Sequence, residues 1–327
     1  MGMFDSLQFF LAATAAYGYA VAALPLLRMP TRFGRFVVVG AASLVMLCPL
    51  LIAPEKMIWR AIAALPCGDL WFKMIDYARQ YGRRRGDGSA GFGAYLRFLC
   101  PFPVFLVVFG QRDRRLSAAP PRLREIAIVC LMGCLIAAGF VALRIAAQIP
   151  AVRSCFPLDH AVMLLIFVPI LAALSRLLWG MERLARFDVR PIIDGAFSAT
   201  SPGEFWRRYN TRVADWMHRN VFQPCGGRRT PIRGVFLTFF VSAIFHEVGF
   251  AIATSRFAGY QFLFFMLQAP AVVLSDWLRP SKRHAGPAMN TAARCLTILW
   301  FYVTSVFFFE GVNRIFPFFY ASRPWLP

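Results

Sequence analysis

The chain has 327 residues, 58% of them hydrophobic and 16% aromatic, with a formal charge of +20. A composition this apolar excludes an ordinary soluble domain. The basic residues stand in short runs between apolar stretches instead of on one soluble face, which argues against a nucleic-acid partner and for the orientation signal of a polytopic membrane protein.

In chain order, residues 7–27 form a first apolar run, with Arg28, Arg32 and Arg35 after it. Basic residues behind the run, and none before it, argue for a retained span and not a cleaved signal peptide. Met1-Gly2 with Ser6 matches a myristoylation pattern, but a chain anchored by several spans gains little from it. Residues 36–53 are a second span. Residues 57–72 are a weaker third, interrupted by Arg60, Pro66 and Asp69. Residues 79–88 carry glycine and charge and read as a loop. Residues 95–110 are apolar but hold Cys100-Pro101-Phe102-Pro103 between two basic loops, which predicts a re-entrant or interfacial segment. Residues 123–147, 157–179, 232–254, 257–278 and 293–312 are further spans. Asp159 and His160, at the start of one of them, are expected at the interface. The reading is an all-α polytopic membrane protein of about eight crossings, a single integral-membrane domain over residues 1–327. Basic loops near 28–35, 76–92, 111–124, 181–233 and 279–294 all fall on one side, taken as cytosolic, and both termini on the other.

Cys48, Cys100, Cys130, Cys134 and Cys295 lie in apolar segments as small hydrophobes. No CxxC pair or metal-ligand spacing occurs, so neither zinc nor a disulfide framework is expected. The chain has no GxSxG, Walker A or Rossmann fingerprint.

Residues 201–254 carry the chemistry. Ser201-Pro202-Gly203-Glu204 is a helix start with the order of a capping box. Phe205, Trp206, Tyr209, Val213, Trp216 and Met217 then fall on one helical face, and Arg207, Arg208, Arg212, Asp215 and Arg219 on the other. This predicts one amphipathic helix of about five turns in the headgroup layer. Asn210 points toward its apolar side, where a carboxamide needs partners. The following span holds His246 and Glu247 deep inside it, with His246 about 20 Å along from Arg233. Thr238, Ser242, His246, Gly249 and Ala253 make a small and polar stripe, with Phe236, Phe239, Phe240, Ile244 and Phe245 covering most of the rest, toward lipid.

The text FWRRYN at residues 205–210, followed by VSAIFHE at 241–247, resembles the membrane-bound O-acyltransferase family. Its wording is closest to the branches that make wax esters, acylglycerols and sterol esters. The resemblance implies acyl transfer from acyl-CoA, as co-substrate, to the hydroxyl of a lipid-like alcohol, with His246 and Asn210 as the catalytic pair. His246 would accept the hydroxyl proton, and Asn210 would orient the acceptor or donate to the carbonyl oxygen as charge develops. Trp206, Arg207, Arg208, Tyr209, Arg212, Ser242 and Glu247 are the candidate substrate-binding residues, with the three arginines placed for the CoA phosphates. Glu247 points about 100° away from His246 and is expected to pair with a polar group of another helix. No metal and no redox cofactor are expected. Two alternatives use the same residues: a short-acyl or acetyl transferase acting on an exported polysaccharide, and a proton-coupled transporter with His246 and Glu247 as relay. The second is disfavoured because no paired repeat is visible.

Overall fold

The computed structural model describes residues 3–29, 34–81, 91–100, 114–117, 120–278 and 286–322. Among these, every regular element is helical, apart from one isolated antiparallel bridge between Arg115 and Phe187. An apolar chain in lipid has no water for its backbone, and helices satisfy their own N–H and C=O groups. Two compact units form. The first takes in residues 1–116, 187–189 and 248–257, and the second residues 117–186, 190–247 and 258–327.

The first unit holds α1 (Met3–Ala22), α2 (Leu24–Leu27), α3 (Gly34–Leu44) with a 3₁₀ continuation (Val45–Leu51), α4 (Met57–Tyr81) and α5 (Phe92–Leu99). Ala12, Ala16 and Ala20 recur every four residues along α1 and are buried, which lets α1 approach α4 and the 3₁₀ turn closely. Helix α4 runs past the expected end at residue 72 and into the expected loop. Its charges do not break it, because they are paired inside. Lys73 and Asp69, both buried, form an i,i+4 ion pair at 2.8 Å. The Lys73 ammonium also lies over the Phe98 ring at 5.7 Å. Arg60 donates to Ile52 O at 2.7 Å and to Ser255 Oγ at 2.6 Å. The Met1-Gly2 pattern, most of the 79–88 loop, residues 101–110 of the re-entrant segment and the basic run at 279–284 lie outside the described residues.

The second unit holds α6 (Arg122–Ala146), α7 (Pro150–Ser154), α8 (Phe156–Leu184), α9 (Pro202–Tyr209), α10 (Thr211–Met217), most of α11 (Pro231–Thr254), α12 (Tyr260–Trp277) and α13 (Pro287–Ile315). Among the described residues, four helices, α6, α8, α11 and α13, are long and apolar enough to cross a membrane, and Leu7–Ala22 and Phe36–Leu51 are shorter apolar helices. Helices α6 and α8 pack at glycines. A Cβ at Gly139 would lie 2.4 Å from the Ile170 side chain, and one at Gly180 2.7 Å from Val129. Helices α12 and α13 are registered by Gln268, fully buried, which accepts from Trp300 Nε1 at 3.0 Å and donates to Phe264 O and Thr304 Oγ1.

Asp159 and His160, at the start of α8, are covered by protein and not by solvent or lipid. Both are buried in the second unit. Asp159 Oδ2 accepts from the N–H groups of Ala321 and Ser322 at 2.8 and 2.7 Å, and from the Ser322 hydroxyl. His160 Nε2 donates to Tyr302 O at 2.9 Å, so its Nδ1 accepts from the Tyr320 hydroxyl at 2.6 Å. The C-terminal segment, about 160 residues downstream, folds back over the start of α8. It supplies partners that a hydropathy reading cannot see.

Candidate active site

Ser201 caps α9, its Oγ accepting from Glu204 N at 3.2 Å, and Pro202 occupies the first turn. The Glu204 carboxylate reaches one residue further back than a reciprocal box requires, to Thr200 N and Thr200 Oγ1, both at 2.9 Å. Helix α9 lies against α12 at Gly203, where a Cβ would make an ordinary contact with Val272 at 3.4 Å.

The expected five-turn helix is interrupted. Asn210 has extended backbone (φ −137°, ψ 84°), ends α9 and begins α10. Its Oδ1 accepts from Val213 N at 3.2 Å, which is an N-cap. The break is held from outside: Thr211 N donates to Ile192 O at 2.9 Å and Thr211 Oγ1 to Pro191 O at 2.6 Å. The carboxamide oxygen is therefore used, and the –NH₂ remains as its donor group. After α10 the chain makes a π-type turn over His218–Phe222.

Resetting the helix at Asn210 changes which residues face inward. Arg212 is buried, not on the polar face. It meets Glu182 of α8 with both terminal nitrogens, Nη1 to Oε1 at 2.7 Å, and donates to Arg190 O from Nε and Nη2. Each of its three guanidinium nitrogens donates within the fold and the side chain is buried, which sets Arg212 apart from the exposed Arg207 as a phosphate ligand. Arg207 is exposed, and Arg208 pairs with Glu204 at 3.0 Å. Tyr209 stacks on Phe205 at 5.0 Å and meets Phe197 and Trp206 edge-on. That packing withholds water from its phenol and pushes it up to about 12.

Trp206 is the hinge of an aromatic cluster. Its ring centroid lies 5.7 Å from Phe239, 5.6 Å from Phe265, 5.9 Å from Phe301 and 6.1 Å from Phe264. Phe239 is thus buried against protein, correcting its expected lipid exposure, whereas Phe236, Phe240 and Ile244 are exposed as the pattern predicts. The indole Nε1 is buried without a hydrogen-bond partner among the described residues.

His246 stacks on the same Phe265 ring, centroids 4.1 Å apart and planes 27° from parallel, with Phe308 at 6.1 Å. Its Nδ1 lies 2.8 Å from Ser242 O. A carbonyl can only accept, so Nδ1 carries the proton and the lone pair sits on Nε2. Ser242 therefore acts through its carbonyl, its hydroxyl standing 3.5 Å from Nδ1. Trp206 and His246 share one aromatic wall, Phe265. Asn210 and His246 make no hydrogen bond with each other among the described residues.

Glu247 faces away, as expected, but its partners are backbone and not side chain. Oε1 accepts from Ala258 N at 3.0 Å and Gly259 N at 2.7 Å, and Oε2 from Phe262 N at 3.1 Å. These are the orphan donors at the start of α12, where a carboxylate also opposes the positive helix end. Glu247 is a cap on α12, with both carboxylate oxygens accepting from backbone N–H groups at its start. Phe265, Phe308 and Glu182 escaped the sequence reading. Each sits in an apolar or amphipathic run with nothing local to single it out.

A sequence model of the membrane-bound O-acyltransferase family matches residues 132–309, more than half of the chain. The chain is 34% identical over 107 residues to diacylglycerol O-acyltransferase 1 of Corylus americana and 32% identical over 106 residues to diacylglycerol O-acyltransferase 1C of Glycine max. Each of these matches covers 32% of this chain and 20% of the relative. It is 26% identical over 125 residues to the probable sterol O-acyltransferase 2 of Schizosaccharomyces pombe, covering 36% of this chain and 26% of that one. The matched stretch thus spans about a fifth to a quarter of the length of these relatives. The family's span contains α9, α10, the Asn210 cap and the His246 helix, and the apolar helices that carry them are those of an integral membrane protein: the chain belongs to the membrane-bound O-acyltransferase family.

Proposed function

We propose that this protein transfers an acyl group from acyl-CoA to the hydroxyl of a lipid-like alcohol. The supporting observation is the tautomer of His246: with Nδ1–H held by Ser242 O, Nε2 carries the lone pair, against an aromatic wall and without a hydrogen-bond partner among the described residues. The alcohol oxygen attacks the thioester carbonyl carbon as its proton passes to Nε2. The C–S bond then breaks, the ester leaves, and the thiolate takes the proton to give CoA thiol. Phe265, Phe308 and Trp206 suit an apolar acceptor, and the names of the relatives point to diacylglycerol or sterol classes. A wax-ester alcohol belongs to the same chemical class. Arg207 and Arg208 are left to meet the CoA phosphates at the membrane surface. About eight crossings with both termini on the non-cytosolic side remain the topology proposed from the basic loops.

The test is direct. Purified protein is given long-chain acyl-CoA with a panel of acceptors: diacylglycerol, a sterol, a fatty alcohol and a soluble saccharide. CoA thiol release and ester formation are followed together. Ester formed only on the saccharide, or no thiol release with any acceptor, would overturn the proposal.

Asn210 gives a second test. Aspartate caps a helix as well as asparagine does, so Asn210→Asp keeps the α10 cap while replacing the –NH₂ donor with a negatively charged oxygen that opposes a developing oxyanion. Wild-type melting together with a fall in turnover of about 10²-fold, the size of losing one oxyanion donor, is the expected result. Unchanged turnover would confine Asn210 to the cap.

A further inference from the structure

A cavity of about 550 Å³ opens beside the C-terminal half of α8. It is lined by Ser175, Arg176 and Trp179 of that helix and by Asp194, Phe197 and Ser198 of the segment leading to α9. None of these residues has a place in the acyl-transfer chemistry above. Ser175 Oγ accepts from Ile193 N at 2.8 Å, which ties the segment to the helix and fixes that wall.

The charges around it do not cancel. Glu125 of α6 accepts from Arg176 Nη2 at 3.0 Å and from Arg183 Nε at 3.1 Å. Both guanidinium carbons lie 5.0 Å from the Trp179 ring centroid. Two cations therefore share one carboxylate and one indole, and a positive charge is left over. Arg176 Nη1 is buried and has no hydrogen-bond partner among the described residues. A Cβ at Gly180 would stand 3.0 Å from that nitrogen, so glycine leaves the guanidinium its room. Across the lining, Asp194 is exposed. Its N–H donates to Arg208 O at 2.8 Å, and its carboxylate has no ion pair among the described residues. Among the described residues, the cavity wall therefore carries Arg176, one of two cations sharing a single carboxylate, and an exposed carboxylate at Asp194 without an ion pair.

Its depth is also informative. Trp179 and the arginines close an apolar, membrane-length helix, the composition of the headgroup layer. We propose that this cavity is a binding site for a zwitterionic phospholipid headgroup, with the phosphate on Arg176 and the ammonium on Asp194. A CoA phosphate or a purely anionic lipid would satisfy Arg176 equally well but would bring no cation to Asp194. That asymmetry favours the zwitterion. The site abuts the candidate active site, because the Phe197 ring packs against Phe205 at 6.2 Å and Tyr209 at 6.3 Å. A lipid held there would buttress α9. The inference does not depend on the acyl-transfer reading.

Native mass spectrometry of the purified full chain, after exchange into phosphatidylethanolamine and phosphatidylglycerol at equal amounts, reads the site without any turnover. Wild type should retain phosphatidylethanolamine with about a three- to fivefold preference, the size of one exposed ion pair. Asp194→Asn, an exposed change that leaves the fold intact, should bring the two lipids to parity. Arg176→Gln should lower retention of both. Because that variant disturbs the Glu125 cluster, its melting temperature is measured alongside, and Asp194→Asn carries the decision if it is unfolded. Equal retention in wild type, an unchanged preference in Asp194→Asn, or displacement of the lipid by free CoA would each overturn the proposal.

Discussion

Replacing His246 with glutamine is expected to cut acyl transfer by about 10²–10⁴-fold, the usual contribution of a general base, while the protein inserts and melts like wild type. Glutamine can keep the hydrogen bond from the imidazole Nδ1 to Ser242 O. Its amide N–H can reach the carbonyl four residues back, as Gln268 Nε2 does to Phe264 O at 3.1 Å in α12. The Phe265 and Phe308 walls remain. What glutamine lacks is a nitrogen lone pair that can take a proton at neutral pH. A purely structural histidine would be largely rescued by this change. Turnover measured under saturating acyl-CoA, together with a thermal melt in detergent, separates the two cases. Near-normal turnover at normal stability would remove His246 from catalysis, and with it the acyl-transfer step as written.

Arg212→Met is expected to be among the most destabilising single changes in the second unit, by about 3–5 kcal/mol. It would leave the Glu182 carboxylate buried without its counter-charge and strip two hydrogen bonds from Arg190 O. The pair holds α10 to the end of α8 and the two bonds hold it to the segment that follows, so the loss should spread to the Asn210 cap. The double variant Arg212→Met with Glu182→Leu should recover much of the stability, since a buried pair replaced by apolar groups leaves no unpaired charge. The phosphate-ligand role predicts something different: a raised KM for acyl-CoA with unchanged melting in Arg212→Met, and no rescue by the second change. Thermal melts of the three proteins and one KM series distinguish these outcomes. Arg207→Ala serves as the contrast. Arg207 is exposed, so its loss should raise the KM for acyl-CoA with little change in melting. A normal KM for CoA esters of every chain length would remove the phosphate contact.

The features legible in the sequence are those set by local periodicity and local chemistry. Among the described residues, the four membrane-length helices follow from long, predominantly apolar runs. Ser201-Pro202 starts α9 because capping depends on residues within one turn. His246 falls in mid-helix because helical rise is fixed, and its donation to Ser242 O is an i−4 contact of the same local kind. The tertiary structure decided everything that depends on a distant partner. Arg212 reads as a surface cation until Glu182, thirty residues earlier, is brought against it. Glu247 reads as a relay or a ligand until the start of α12 turns its N–H groups toward it. Asp159 and His160 read as interfacial until the C-terminal segment covers them. Asn210 fits one continuous amphipathic pattern, and the break there is imposed by hydrogen bonds to Pro191 and Ile192 from outside the helix. A polar group in a low dielectric must find a partner, so its presence is written in the sequence, but the identity of that partner is a property of the packed chain.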